Sequence, residues 1–180
     1  LTTRRRRFAV DDTEGCIAEG LPKKRESRYK AWVSVMYGCN NFCTYCVVPY
    51  VRGRERSRNP GDILDEVRGL VADGCREITL LGQNVNSYGR DLGDGYDFAD
   101  LVSEIDQIDG DFIIRFMTSH PKDANRKLID VMAGSKKCAR QFHLPLQSGS
   151  ERVLRAMNRR YTPDEYLRLI EYMREKMPNI

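Results

Sequence analysis

The sequence predicts an α/β fold in which parallel strands alternate with helices, as part of a (β/α) barrel. A strand-like segment followed by a helix-like segment occurs four times in a row after residue 30. The loop after the first strand has no phosphate-binding glycine pattern, which disfavours the alternative, a doubly wound open sheet. Four units are too few to close a barrel, so we expect a partial barrel that lacks its last strands.

The strands are predicted from runs of apolar and β-branched residues, and the helices from apolar residues at helical spacing. The predicted strands span residues 31–37, 77–81, 112–117 and 141–144. Asn59 and Pro60 are a typical start of the helix that follows the first strand, and Gly74 ends it. We expect residues 31–180 to form the core domain. Residues 1–30 are predicted to be a linker or N-terminal extension with at most one edge strand.

Composition argues against a membrane protein and against a disulfide framework. The 180 residues are 41% apolar and 31% charged, and no apolar run approaches the roughly 20 residues that span a bilayer. The net charge of +4 is compatible with a nucleic-acid partner without requiring one. Three of the six cysteines crowd into one short segment, which favours a metal site in a reducing compartment, and we expect a cytoplasmic protein.

The crowded cysteines are Cys39, Cys43 and Cys46, in C-x3-C-x2-C spacing just after the first strand. A loop of this length can bring three thiolates to one soft metal centre. Structural zinc normally takes a fourth Cys or His nearby, and the next 25 residues contain none. A 4Fe–4S cluster with three cysteine ligands keeps one iron open for chemistry. A zinc-stabilised RNA-binding module remains the non-enzyme alternative.

This cysteine pattern, with the aromatic Tyr45 before the third cysteine, resembles the signature of radical S-adenosylmethionine (SAM) enzymes. Further segments resemble the MiaB family of tRNA methylthiotransferases: residues 38–50, 52–58, 80–88, 117–121 and 143–150. The resemblance implies a 4Fe–4S cluster and SAM as cofactors, and a one-electron reductant protein as a partner. It also implies 2-methylthiolation of N6-isopentenyladenosine beside the tRNA anticodon. Sister methylthiotransferases, which act on a ribosomal protein or on threonylcarbamoyl-adenosine in tRNA, are the alternatives within this class.

The resemblance also implies that further domains of such an enzyme lie outside these 180 residues. The chain begins without an initiator Met and stops shortly after a helix, so we expect an internal piece of a larger enzyme. The family has a further domain in which three other cysteines hold a second cluster, and Cys16, Cys75 and Cys138 do not match that triplet in position or spacing. We expect this piece alone not to complete the reaction.

Polar residues follow the predicted strands at the end where a barrel places its active site. These residues are Gln83, Asn84, Ser119, His120, Gln147 and Ser148. We expect them and Tyr45 to bind the cofactor, although capping a helix or bonding to the loop backbone is the simpler role for the six strand-end residues.

Four arginines alternate with other residues after the cysteine loop, and they could contact RNA phosphates or hold the local structure. They are Arg52, Arg54, Arg56 and Arg58. Arg159 and Arg160 are interpreted as a basic helix end that faces solvent.

Overall fold

The computed structural model describes residue 25 and residues 27–180. The strands are β1 (Lys30–Ser34), β2 (Met36–Tyr37), β3 (Arg56–Ser57), β4 (Glu77–Leu81) and β5 (Ile113–Phe116). A parallel sheet has the order β1-β4-β5, while β2 and β3 form a separate antiparallel pair. Because the three sheet strands run in the same direction, their carboxyl ends lie at one edge, and the loops that follow them meet there.

Six helices accompany these strands in the described part of the chain. They are α1 (Val48–Val51), α2 (Pro60–Ala72), α3 (Phe98–Asp106), α4 (Arg126–Gly134), α5 (Glu151–Ala156) and α6 (Pro163–Lys176). Single turns of 3-10 helix at Val85–Ser87 and Pro121–Asp123 follow β4 and β5. None of the helices in the described residues has the length and apolar character needed to cross a membrane.

The helix starts follow the capping signals of the sequence. The side chain of Asn59 accepts a hydrogen bond from the Gly61 N–H at 2.8 Å, with Pro60 as the first residue of α2. Asp97 and Thr162 begin α3 and α6 with reciprocal capping boxes, in which the third helical residue bonds back to the cap. Each cap satisfies backbone N–H groups that a helix start otherwise leaves unpaired.

The core lies between the sheet and the helices α2, α3 and α4. Alternate residues of each strand, such as Val33, Ile78 and Ile114, are fully buried in it. The other face of the sheet is more open: Trp32 of β1 is 59% exposed, and Glu77 forms ion pairs of 3.2 Å with Lys30 and with Arg115. The sheet thus has one face covered by helices and a second face that is largely open over the described residues.

The second and third predicted strands are confirmed almost to the residue, and the first is divided by a break at residue 35. The predicted fourth strand at 141–144 is wrong. The chain contacts β5 earlier, where Ile114 donates to the Lys137 carbonyl and accepts from Ala139 N–H, both at 2.9 Å. This single bridge at Cys138 is parallel, so the fourth unit continues the sheet with one residue rather than a full strand. The predicted edge strand within residues 1–30 lies outside the described residues.

Candidate cofactor-binding site

The cysteine loop leaves β2 at Gly38, whose backbone φ of +75° favours glycine. A Cβ at this position would lie 1.9 Å from the carbonyl oxygen of Arg54, so no other residue fits. The loop is joined to the segment before β3: the Asn40 N–H donates to Glu55 at 3.1 Å, and the Glu55 N–H donates to the Asn40 side chain at 3.3 Å. These contacts fix the start of the loop beside the carboxyl edge of the sheet.

The three cysteines differ in exposure. Cys39 and Cys43 are each 8% exposed, and Cys46 is partly exposed. Burial raises the pKa of the Cys39 thiol, so metal binding there must displace a proton. Among the described residues, no three His, Cys, Asp or Glu side chains are close enough to hold a single metal ion. Structural zinc binds all of its ligands to one ion, whereas a 4Fe–4S cluster binds each thiolate to a different iron.

The turn between α5 and α6 holds the middle of the cysteine loop. The Asn158 amide donates to the carbonyls of Asn41 and Phe42 at 3.1 and 3.0 Å. Thr44 donates from its N–H to the Met157 carbonyl and from its hydroxyl to the Ala156 carbonyl, both at 3.2 Å. We call residues 156–159 the loop clamp. It reaches across more than 100 positions of sequence to hold residues 41–44.

The interpretation of Arg159 as a solvent-facing helix end is wrong. Its side chain is 5% exposed, and its Nη1 lies 3.3 Å from the Sγ of Cys43. The guanidinium carbon also lies 5.4 Å from the centre of the Tyr161 ring, a cation–π contact. Asn158 has a left-handed φ of +56°, the conformation that commonly ends a helix, and this turn directs Arg159 inward. Arg160, by contrast, is exposed as expected.

Asn84, Ser119 and His120 come together at the carboxyl ends of β4 and β5, and all three are buried. The Asn84 amide donates to Asp123 at 2.6 Å. The backbone N–H of His120 donates to the Asn86 side chain at 3.0 Å, which joins the loop after β5 to the loop after β4. The predicted convergence of the strand ends is therefore found for these residues.

Asp123 is the buried anchor of this region and was not singled out by the sequence. Its carboxylate lies 2.7 Å from Arg90 and 3.8 Å from Lys122, and the Lys122 ammonium also bonds to Asn41 of the cysteine loop. The chain of contacts runs from Asn84 through Asp123 and Lys122 to the loop. Short polar runs such as Lys122-Asp123 resemble ordinary surface, so only the fold reveals their burial.

Several buried polar atoms at this edge have no hydrogen-bond partner among the described residues: Asn84 Oδ1, Ser119 Oγ, His120 Nε2, and Arg159 Nε and Nη2. Unpaired buried polar groups are costly, and native proteins rarely keep them without a ligand or water to satisfy them. Arg159 and His120 both contact the ring of Tyr161, so these atoms belong to one region. The region offers donors and acceptors to a polar ligand.

His120 contributes a neutral donor. Burial, followed by the positive charge of Arg159, lowers the pKa of His120 to about 4. Its Nδ1 accepts a hydrogen bond from the Lys122 N–H at 3.2 Å, so the neutral ring carries its proton on Nε2. Because Nε2 is the unpartnered atom, His120 presents an N–H to a ligand.

Backbone strain gathers around the same region. Phe42, Thr118 and Gln147 all have positive φ, at +47°, +64° and +69°. Thr118 is the most unusual because its β-branched side chain disfavours this conformation. Such residues persist where the surroundings hold them, and they concentrate at functional sites.

The remaining predicted cofactor residues are more exposed. Gln83 and Gln147 face solvent, and Tyr45 is 53% exposed on the cysteine loop. The Ser148 hydroxyl accepts from the Ser150 N–H at 3.1 Å, which is the simpler role near the start of α5. None of these four contacts the buried group through a hydrogen bond between described side chains, so their role in binding stays a prediction.

The four arginines after the loop do not form one surface. Arg52 and Arg54 are exposed, and Arg54 lies over the Phe42 ring at 5.2 Å. Arg56 is partly buried in β3. Arg58 is 3% exposed, pairs with Glu66 at 2.9 Å and donates to the Ser34 carbonyl at 2.5 Å. Its guanidinium faces the interior, and we no longer expect it to contact RNA.

The profile of the Radical SAM superfamily matches residues 33–180. Curated relatives with the name tRNA-2-methylthio-N(6)-dimethylallyladenosine synthase are similar over nearly the whole chain. The relative from Desulforamulus reducens is 59% identical over 93% of this chain, that from Carboxydothermus hydrogenoformans 57% over 95%, and that from Caldicellulosiruptor saccharolyticus 51% over 100%. The chain spans 37%, 39% and 38% of these relatives' own lengths.

Solved structures of two more distant proteins share the fold. The radical SAM methyltransferase TsrM from Kitasatospora setae, solved with cobalamin and a [4Fe-4S] cluster, has a TM-score of 0.67 at 20% identity, over 89% of this chain and 32% of that one. The cobalamin-dependent SAM radical enzyme OxsB has a TM-score of 0.64 at 13% identity, over 83% and 23%. At these identities the likeness concerns the fold alone, and it confirms the predicted partial fold of the radical SAM type.

Proposed function

Because the chain belongs to the Radical SAM superfamily, we propose that it is the catalytic core of a tRNA methylthiotransferase. The carrying observation is the three-cysteine loop at the carboxyl edge of the sheet, in a chain 51–59% identical to synthases of 2-methylthio-N6-dimethylallyladenosine. The proposed substrate is that adenosine in tRNA, and we propose a cytoplasmic location for the activity. The curated relatives are named as synthases that modify tRNA, which favours an adenosine of tRNA over a ribosomal protein as the substrate.

The residues at the loop fit a 4Fe–4S cluster. Cys39, Cys43 and Cys46 offer three thiolates, two of them shielded from solvent, and a buried guanidinium contacts one of them. The set leaves one iron without a protein ligand. When bound, the cluster and SAM supply one-electron cleavage of the sulfonium to a carbon radical, and a one-electron reductant protein is the expected partner.

The chain's own residues bind and orient the cosubstrate. Asn84 Oδ1, Ser119 Oγ and the His120 Nε2–H are buried, unpartnered and close to the cysteine loop through Asp123 and Lys122. We propose that they hydrogen-bond the polar groups of SAM, with Gln83, Gln147, Ser148 and Tyr45 completing the rim. His120 is neutral, so it adds no charge that would repel the sulfonium.

Anaerobic reconstitution of the intact protein tests the cluster. We expect the three thiols of this loop to bind a cluster of about four irons and four sulfides, and the protein to cleave SAM when a reductant is present. Cys43→Ala should abolish cleavage, whereas Cys75→Ala, which alters a cysteine outside the loop, should retain it. Cleavage that survives in Cys43→Ala, or a wild-type protein that holds one zinc and no iron, would defeat the proposal.

The cosubstrate contacts have a separate test. Replacing Ser119 with alanine removes the buried hydroxyl, and loss of one hydrogen bond should weaken SAM binding about tenfold. Equilibrium dialysis on the reconstituted protein measures this, and unchanged affinity would remove Ser119 from the site. Mass spectrometry of nucleosides from tRNA lacking the methylthio group, incubated with the intact protein, tests the substrate itself.

A further inference from the structure

Arg159 is a permanently charged side chain almost completely inside the protein, where charge is costly unless it is matched. No carboxylate among the described residues lies within ion-pair distance of it. The buried carboxylate of this region, Asp123, forms ion pairs with Arg90 and Lys122 and accepts a hydrogen bond from Asn84. The contacts of the Arg159 guanidinium are the Cys43 sulfur at 3.3 Å and the Tyr161 ring.

A neutral thiol is a weak acceptor and leaves this charge poorly compensated. A thiolate bound to iron is anionic, and a charge-assisted N–H···S bond to it would match the guanidinium. The contact between Arg159 and Cys43 is therefore more favourable when Cys43 is a cluster-bound thiolate than when it is a free thiol.

We infer that Arg159 is a positioning residue that sets the reduction potential of the cluster through its contact with Cys43. The inference rests on the proposed function, since it requires the cluster. Reduction transfers one electron from a one-electron donor to the cluster and adds a negative charge to a centre that thiolates already make anionic. No proton moves, because the guanidinium stays protonated throughout. A fixed positive charge beside a ligand sulfur stabilises the reduced form more than the oxidised form.

The loop clamp makes this charge rigid. Asn158, the preceding residue, is held in its left-handed turn by bonds to the Asn41 and Phe42 carbonyls, and the Arg159 N–H donates to Leu154 at 2.9 Å. The backbone on both sides of the Arg159–Cys43 contact is therefore fixed. A fixed dipole or charge acts on a reaction centre without the cost of reorganising at the moment of electron transfer.

The test is a redox titration of the reconstituted intact protein with dithionite, followed by electron paramagnetic resonance. In Arg159→Gln, we expect the ratio of reduced to oxidised cluster at a fixed potential to fall about tenfold. For a one-electron couple this corresponds to a midpoint potential that is lower by about 59 mV. Arg159→Lys keeps the charge and should recover most of this loss. Arg160→Gln, a matched loss of charge at the exposed neighbour, should titrate like the wild type.

A second measurement detects the contact in the wild-type protein itself, and the variants serve only to assign the signal. Wild-type protein labelled with 15N-arginine should show a hyperfine coupling between the reduced cluster and a guanidinium nitrogen. The coupling should vanish in Arg159→Lys and persist in Arg160→Lys. A loaded wild-type cluster without this coupling, or a loaded Arg159→Gln with the wild-type midpoint, would overturn the inference. A wild-type protein that assembles no cluster would instead defeat the proposed function.

Discussion

Lowering the pH from 7 to 5 should destabilise the cluster-free protein through His120. Burial and then the charge of Arg159 lower the pKa of His120 to about 4, whereas a histidine in an unfolded chain titrates near 6.5. Arg159, Lys122 and Arg90 oppose protonation of the ring, and Asp123 favours it. The net effect of burial and of these charges is that the His120 imidazole is neutral in the folded protein at pH 5 to 7.

The sign follows from proton binding. Between pH 6.5 and about 4 the unfolded chain holds a proton that the folded protein does not, so the free energy of unfolding falls as the pH is lowered. The two pKa values give a loss of about 2 kcal/mol between pH 7 and pH 5. Carboxyl groups with depressed pKa values, such as Glu77 and Asp100, weaken the fold mainly at lower pH, because unfolded carboxyls titrate near 4.

Urea unfolding at pH 7, 6 and 5, on wild type and on His120→Asn, measures the effect. Asparagine keeps an acceptor near the position where Nδ1 accepts from the Lys122 N–H, but it does not titrate. We expect the wild type to lose about 2 kcal/mol more than the variant over this range. Parallel losses in the two proteins would show that folded His120 titrates as it does in water, and the burial argument would fail.

Three further predictions concern the parts that hold the site. Gly38→Ala should lower the free energy of unfolding by about 3 kcal/mol or more, because the added Cβ would lie 1.9 Å from the Arg54 carbonyl oxygen in a left-handed turn. Thermal unfolding measures this loss, and near-normal stability would contradict the packing. Asn158→Asp keeps a left-handed turn, but its side chain has no donor for the Asn41 and Phe42 carbonyls. A chelator should therefore remove the reconstituted cluster about tenfold faster than in wild type, which the anaerobic decay of the visible absorbance of the cluster measures. Arg58→Ala removes a buried guanidinium that pairs with Glu66 and donates to the Ser34 carbonyl, so it should cost about 3 kcal/mol in urea unfolding. The exposed Arg52→Ala should cost less than about 0.5 kcal/mol, and equal costs would contradict the burial of Arg58.

Much of the fold could be predicted because local signals agree with the tertiary structure. The Asn59-Pro60 start of α2 and the apolar strand of residues 77–81 are found as expected. The prediction of the fourth strand is wrong because a short, mostly apolar run such as Phe142 to Leu144 does not show which residues pair with the sheet. Pairing is decided by the backbone of residues 137–139 as it passes Ile114, and periodicity contains no information on that register.

The cysteine triplet could be singled out because its pattern is local: three thiols at close spacing on one loop indicate a candidate metal or cluster site. Arg159 could not be predicted because its burial depends on a partner 116 positions away. Two adjacent arginines after a helix resemble a solvated end, and only the left-handed turn at Asn158 sends one inward and leaves the other outside. Sequence patterns thus identified the candidate ligands but not the residues that hold their loop.

The contacts of the loop clamp also affect how the site forms. Residues 41–44 bond to the loop clamp at 156–159, and Asn41 also bonds to Lys122 beside Asp123. These contacts join the loop after β2 to segments that follow β5 and α5. We therefore expect the cysteine loop to take this shape only when the later units have folded, and anything that binds the loop in this shape stabilises those units as well. Assembly of a cluster on the three thiols and completion of the fold are thus expected to be a single coupled equilibrium, with the clamp as the link between them.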